Sequence, residues 1–250
     1  MKIIKKCNFC KSYDLKFLFY GEDKNFLLQG KFPIVKCKKC GLISLATVSN
    51  SKKMGKYYPE KYYSYNKIDS NSLKLRIKML LYNLYFNRGP GNPFLKMVFS
   101  PFLPFSRGTI ISPNQKLLDI GSGSGQFIYE MKHFGMNVYG LEPGKFDKES
   151  AKRHGLNIKN TDLLKARYHK GYFDIITINH VLEHVPNPEK NIKEIYRILK
   201  KNGKLIVGVP NYHSLAFFLF GKNWYQLDAP RHLNDFSDNI LVRKLKKEGF

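Results

Sequence analysis

Between residues 111 and 250, short apolar runs alternate with amphipathic stretches, and the first of those runs ends in three closely spaced glycines. No other feature limits the fold as strongly. Short apolar runs separated by helical patterns bury themselves as parallel strands joined by crossover helices. The strands read as Lys116–Ile120, Asn137–Leu141, Asn157–Lys159, Phe173–Asn179 and Lys204–Val209. Helices read over Gln126–Phe134, Asp147–His154 and Pro188–Leu199, and Lys201-Asn202-Gly203 reads as a turn. The long connection between the fourth and fifth strands suits a parallel sheet with helices on both faces. The expected fold class is α/β over 111–250.

Two segments precede this domain. Residues 1–48 carry Cys7-Asn8-Phe9-Cys10 and Cys37-Lys38-Lys39-Cys40, and these are all four cysteines of the chain. Two Cys-x-x-Cys knuckles can bring four thiolates to one tetrahedral zinc, a closed structural site rather than a catalytic one. A redox dithiol is the alternative. A segment this small needs such a staple to fold. Residues 49–110 form an aromatic and basic arm, with Tyr57, Tyr58, Tyr62, Tyr63 and Tyr65 close together. Leu73, Ile77, Leu80, Leu81, Leu84 and Tyr85 then fall at helical spacing over about 71–87, and Gly89-Pro90-Gly91-Asn92-Pro93 stops the helix.

The chain has 43 Lys+Arg against 19 Asp+Glu, a net +24. Residues 1–110 hold 21 basic and 5 acidic side chains, and residues 111–250 hold 22 and 14. Such a field attracts anionic partners. Yet 35 of the 43 basic residues are Lys, and base readout leans on the bidentate fork of Arg. Nucleic acid therefore ranks below a small-molecule acceptor. No run of eighteen uncharged apolar residues predicts a transmembrane helix. The start, Met1-Lys2-Ile3-Ile4-Lys5-Lys6, has no secretory core. The localisation read from these features is cytoplasmic. The apolar stretches Phe94–Phe105 and Ala216–Phe220 suit either burial or peripheral contact with a membrane or lipid-linked substrate.

The chemistry centres on Asp119-Ile120-Gly121-Ser122-Gly123-Ser124-Gly125. Glycines there let the backbone turn sharply and let a ligand approach it. Gln126 stands where a dinucleotide fingerprint has its third glycine, and no Gly-Lys-Ser/Thr follows, so a P-loop is excluded. A carboxylate at Asp119 suits a cationic ligand; a helix cap on a plain glycine turn is the alternative. Glu142, ending the second strand, stands where an acid accepts ribose hydroxyls. Asp162 follows the third strand and is placed to accept from an adenine amino group, with Leu163 packed on the ring.

At this level the chain resembles the class I S-adenosylmethionine-dependent methyltransferases. The resemblance rests on the Leu118-Asp119-Ile120-Gly121-Ser122-Gly123-Ser124-Gly125 loop, Leu141-Glu142-Pro143 and Phe173-Asp174-Ile175-Ile176. Leu182-Glu183-His184-Val185-Pro186-Asn187-Pro188 and Leu199-Lys200-Lys201-Asn202-Gly203-Lys204-Leu205 extend it. It implies a Rossmann-like methyltransferase sheet and S-adenosylmethionine held by Asp119, Gly121, Ser122, Gly123, Gly125, Glu142, Asp162 and Asn179. The paired cysteine knuckles and Asp228-Ala229-Pro230-Arg231-His232-Leu233 resemble a sub-group that methylates small molecules or glycan precursors. The chain stops at Gly249-Phe250, where the family continues into a hairpin, so the last two family strands are expected to be missing. His180 stands where ubiquinone-pathway relatives carry a Glu, so no catalytic metal is expected at Glu183 and His184.

Ligands of open α/β sheets sit beyond the carboxyl ends of the strands. Asn179 and His180 after the fourth strand and His213 after the fifth belong there. A hydroxyl acceptor benefits from a general base near neutral pH; the candidates are His232 first, then His180 and His213. Arg231 reads as a clamp for an acceptor's phosphate or carboxylate. An RNA methyltransferase and a non-catalytic scaffold are the competing functions.

Overall fold

The computed structural model describes residues 2–48, 57–58, 68–86 and 113–250. Tyr62, Tyr63, Tyr65 and the Phe94–Phe105 stretch lie outside them. The chain forms two compact units. One comprises Met1–Tyr62, Asn179–Tyr196 and Gly208–Phe250; the other comprises Tyr63–Ile178 and Arg197–Val207.

In the first unit, β1 (Lys2–Ile3) pairs antiparallel with β5 (Thr47–Val48). β2 (Leu15–Gly21), β3 (Phe32–Cys37) and β4 (Ile43–Leu45) form an antiparallel meander, with an irregularity in β2 between Phe17 and Phe19. β3 buries Phe32, Ile34 and Cys37. Phe32 and Ile34 lie two apart, as one face of a strand requires.

The second unit begins with α1 (Leu73–Phe86), which matches the spacing-based helix to within two residues. A parallel arrangement follows: β6 (Lys116–Ile120), α2 (Gln126–His133), β7 (Asn137–Leu141), α3 (Lys148–Arg153), β8 (Asn157–Lys159) and β9 (Phe173–Asn179). α4 (Pro188–Ile198) belongs to the first unit as far as Tyr196, and β10 (Leu199–Gly208) follows it in sequence. The strand order is β10-β9-β6-β7-β8, with β6 parallel to both β7 and β9, and β7 parallel to β8. This is a Rossmann-like methyltransferase sheet, and five of its strands lie among the described residues. β6 is buried from Leu117 to Ile120, as a strand covered on both faces must be. α2 sends Phe127, Ile128 and Met131 into a core shared with Leu117, Ile175, Leu156 and Ala151. Asp147 caps α3 by accepting from the Ser150 amide at 2.8 Å.

Two sequence readings change. The expected turn at Lys201-Asn202-Gly203 is absorbed into β10, and Asn202 keeps a left-handed backbone at φ 63° within the strand. Asn is among the few residues that tolerate this conformation. Further on, α5 (Leu215–Phe220), β11 (Asn234–Asp235) and α6 (Asp238–Glu248) belong to the first unit. β11 pairs antiparallel with β4, giving the sheet order β11-β4-β3-β2. The compact units therefore run across the segments 1–48, 49–110 and 111–250 rather than along them.

Gly125, the last glycine of the loop, has φ 95° and caps the start of α2. A Cβ there would stand 2.8 Å from both Leu156 Cδ1 and Ile158 Cδ1. The left-handed backbone and this close packing together favour glycine at this position. Gly125→Ala should lose about 1–3 kcal/mol of stability in denaturant unfolding. An unchanged midpoint would show that the helix can shift to admit the methyl group.

Candidate functional site

The second unit builds a candidate site at the carboxyl ends of β6 and β7. The Gly121 and Ser122 amides both donate to the Leu141 carbonyl, at 2.8 and 3.0 Å, so the loop folds over the end of β7. Gly121 at φ 75° and Gly123 at φ 55° supply the left-handed turns this requires. Glu142 then closes the loop. Its Oε2 accepts from the Gly123 amide at 2.9 Å and its Oε1 from the Gly144 amide at 2.7 Å. Burial pushes the Glu142 carboxyl above the usual carboxylate range, and the two amides pull back only part of that shift. The Asn160 side chain donates to the Glu142 and Gly144 carbonyls, holding the same bend from below.

Asp119 is buried at the end of β6, with Thr177 Oγ1 donating to its Oδ1 at 2.6 Å. It does not cap α2, which has no side-chain cap. Ser122 is buried too, and its Oγ meets no hydrogen-bond partner among the described residues. Gly140 makes room for it: a Cβ there would lie 2.7 Å from that oxygen. Asp162 caps the turn Leu163–Lys165, accepting from the Lys165 amide at 3.1 Å and pairing with Lys165 Nζ at 2.7 Å. The fold thus brings Asp119, Gly121, Ser122, Gly123, Gly125 and Glu142 together around one loop, and sets Asp162 in a cap after β8.

The first unit holds the remaining candidates. Cys7 and Cys40 have their sulfurs 3.7 Å apart, Cys10 and Cys37 3.5 Å apart, and all four sulfurs lie within 4.8 Å of one another. The Cys40 thiol beside it is the chief cause that brings Cys7 down to about 5, while Cys40 itself is pushed up.

Beside this sheet is a buried cluster of acids and imidazoles. Glu183 is fully buried, with Oε1 3.3 Å from His180 Nδ1. Burial works to raise its pKa, but His180, His184 and His232 together carry it below the carboxylate norm. His184 Nδ1 lies 3.1 Å from the Arg231 carbonyl, which only accepts. The Tyr58 hydroxyl stands 3.1 Å from the same nitrogen. Burial first, and the neighbouring His232 second, lower His184 to about 4. The His232 ring stands edge-on to it at 4.7 Å. Burial would lower His232 as well, yet Asp235, Glu183 and Asp228 outweigh it and the imidazole is raised. His232 Nδ1 is 3.8 Å from Asp235 Oδ1, and Nε2 is 3.9 Å from Asp228 Oδ2. The donor atoms of Glu183, His184 and His232 lie within 4.8 Å of one another. Such a group can pass a proton or chelate a cation.

His232, the first candidate base of the sequence, is buried in this cluster, with 7% of its surface exposed. His180 is exposed at the rim, at φ 53°, with its amide donating to the Gly208 carbonyl. His213 is exposed and packs edge-on to Tyr212 at 4.5 Å, away from the cluster's contacts. Asn179 is held close to Gly208, where a Cβ would meet its Oδ1 at 2.5 Å.

Arg231 is corrected outright. It is fully buried and bound at both ends of its fork by protein carboxylates. Nη1 and Nη2 donate to Asp23 at 2.9 and 2.6 Å, and Nε donates to Asp228 Oδ2 at 2.9 Å. No donor is left over for an acceptor's phosphate. The Asp23 partner lies 208 residues away in sequence, and nothing local marks it.

A family model described as a methyltransferase domain matches residues 96–250. A ubiquinone biosynthesis O-methyltransferase of Shewanella sp. (strain ANA-3) is 31% identical over 110 residues, covering 41% of this chain and 47% of that protein. Its counterpart from Pectobacterium carotovorum subsp. carotovorum (strain PC1) is 27% identical over 140 residues, covering 52% and 59%. The chain thus spans about half the length of these curated relatives. A solved S-adenosylmethionine-dependent methyltransferase of Archaeoglobus fulgidus aligns with TM-score 0.47 at 22% identity, covering 68% of this chain and 73% of that one.

His184 gives the site a pH signature. It titrates at about 4 in the folded chain, against an ordinary 6.5. Between those values the unfolded chain binds more protons, so stability falls as pH drops through that window. Unfolding at pH 7 and pH 5 should differ by about 2 kcal/mol on this account alone. His184→Gln should flatten that limb. An identical acid limb in the variant would show that His184 is not held neutral by burial.

Proposed function

This chain belongs to the methyltransferase family whose model spans 96–250, and from that premise we propose that it transfers a methyl group from S-adenosylmethionine to a small-molecule or glycan-precursor acceptor. The observation that carries the reading is the glycine loop closed by Glu142. Both carboxylate oxygens accept one backbone amide each, which leaves a lone pair on each for a ribose hydroxyl. The buried, unpartnered Ser122 Oγ and the bare backbone at Gly121 and Gly123 also suit a ligand laid on the loop. S-adenosylmethionine, when bound, supplies an electrophilic methyl group on a sulfonium. Asp119 holds the loop's leading edge through Thr177 and places a negative charge at the end of β6. Asn179 and Asp162 are the further cofactor contacts of this reading.

Methyl transfer is an in-line displacement whose main demand is positioning. His232 serves as the base in this reading. Asp235 steadies its Nδ1 side, and Glu183 and Asp228 keep the imidazole basic. His180 and His213 are the alternatives. A cytoplasmic location is part of the same reading. Among the described residues, no helix is long and apolar enough to cross a membrane.

Cys7, Cys10, Cys37 and Cys40 are assigned to a structural zinc. Tetrahedral zinc with bonds of about 2.3 Å separates its sulfurs by roughly 3.8 Å. The observed 3.5 and 3.7 Å pairs fit such a cage. Elemental analysis of the purified protein should find about one zinc per chain. A metal-free protein with an intact N-terminal sheet would remove the assignment.

Two substitutions separate binding from chemistry. Glu142→Ala should weaken S-adenosylmethionine about tenfold or more, the worth of a hydrogen bond to a charged group. His232→Asn should bind the cofactor normally yet slow turnover by about 100- to 10,000-fold. Full turnover by His232→Asn across neutral pH would shift the base to His180 or His213. Unchanged cofactor affinity in a folded Glu142→Ala protein would take Glu142 out of the site.

A further inference from the structure

α5 turns its apolar side chains outward. Phe217 is half-buried, edge-on to Trp224 at 5.5 Å and to Tyr212 at 6.0 Å. Leu215, Phe218, Leu219 and Phe220 are 71%, 82%, 64% and 60% exposed, and no residue of the helix is buried. Tyr225 continues the surface at 64% exposed. Four large apolar side chains on one six-residue helix, all turned to water, exceed the scattered exposure that soluble surfaces carry. The core does not need them, because Phe217 and Trp224 already anchor the segment.

The charges around the patch are one-sided. From Ser214 to Leu227 the single charged residue is Lys222, and no acid interrupts the stretch. Lys24 reaches the same place from the N-terminal sheet, donating to Asn223 Oδ1. Shape matters as much. A side chain 82% exposed stands proud of its neighbours, so the surface is a convex knob rather than a groove. A protein partner would need a matching cavity to cover it. A bilayer takes a convex apolar knob without one, and lysines at its base meet anionic headgroups.

We propose that α5, with Tyr225 and Lys222, is a shallow insertion site for the surface of an anionic lipid bilayer. The inference goes beyond the methyl-transfer reading and stands without it. The helix has six residues, so it dips into the headgroup boundary and does not span. Lys24 and Lys222 supply the attraction that a single short apolar knob needs as its second signal.

Flotation with phosphatidylcholine vesicles, with and without phosphatidylglycerol, tests this on the whole chain. The protein should float with the anionic vesicles at low salt and release as salt rises. The double substitution Phe218→Ser with Leu219→Ser should weaken flotation at least tenfold, since each large apolar side chain withdrawn from water is worth roughly that much in partition. Trp224 is the only tryptophan and is buried beside the knob. Its emission in the absence of vesicles should be the same in wild type and variant, which separates lost contact from lost fold. Lys222→Glu should weaken flotation while leaving that emission alone. Absence of flotation at low salt, or equal flotation by the double variant, would overturn the proposal. So would a wild-type dimer that the double substitution turns into a monomer, because the knob would then be covered by a second copy.

Discussion

Glu142 sets the geometry on which the rest of the second unit's site depends. Its carboxylate joins the end of β7 to the Gly123 amide, while the Leu141 carbonyl just before it takes the Gly121 and Ser122 amides. Burying a carboxylate is costly unless donors meet it. Here two backbone amides do so, and the turn they stabilise exists only because Gly121 and Gly123 can adopt positive φ. The acid that shapes the loop is thus the acid that would accept a ribose. Strand end, glycine turn and carboxylate form one hydrogen-bonded object.

The first unit is organised around buried charge instead. Arg231 is fully enclosed by Asp23, Asp228, the Tyr57 carbonyl and the Phe26 ring. Buried ion pairs add little net stability against apolar replacements, but removing one partner leaves a bare charge at a cost of about 3–5 kcal/mol. Their effect here is to fix position. Asp23 comes from the cysteine-bearing sheet, and Asp228 comes from the segment that carries His232. Strand β11 makes the same connection through the backbone, pairing Asp235 with Ile43 shortly after Cys40. Tyr212 adds a third tie by donating to the Gly41 carbonyl at 2.8 Å. The cysteine cluster, the antiparallel sheet and the histidine cluster are thus tied together within the first unit.

How much of this was legible in the residues varies with range. Strands β6 and β9 were readable to the residue, because a buried parallel strand is a largely apolar run with punctuated ends. The four cysteines and the glycine loop were readable from spacing. Strand β11 was not, since two residues carry no alternation to detect. The Arg231–Asp23 pair was not, because 208 residues separate its members. Glu183 and His184 were visible as neighbours, but their meeting with His232 depends on a path through Leu233 and Asn234, whose amides both bind the Glu183 carbonyl. Beside the adenine contact proposed for it, Asp162 has a local use as the cap of Leu163–Lys165, which its position before a short helical turn already signalled.

The central claim is that the loop closed by Glu142 is a nucleoside site for S-adenosylmethionine. Calorimetric titration of the wild-type, zinc-replete chain with S-adenosylmethionine, repeated with S-adenosylhomocysteine, tests it most directly. The account predicts saturable binding of one molecule of either per chain, because ribose and adenine contacts are common to both. A folded protein that binds neither would contradict it.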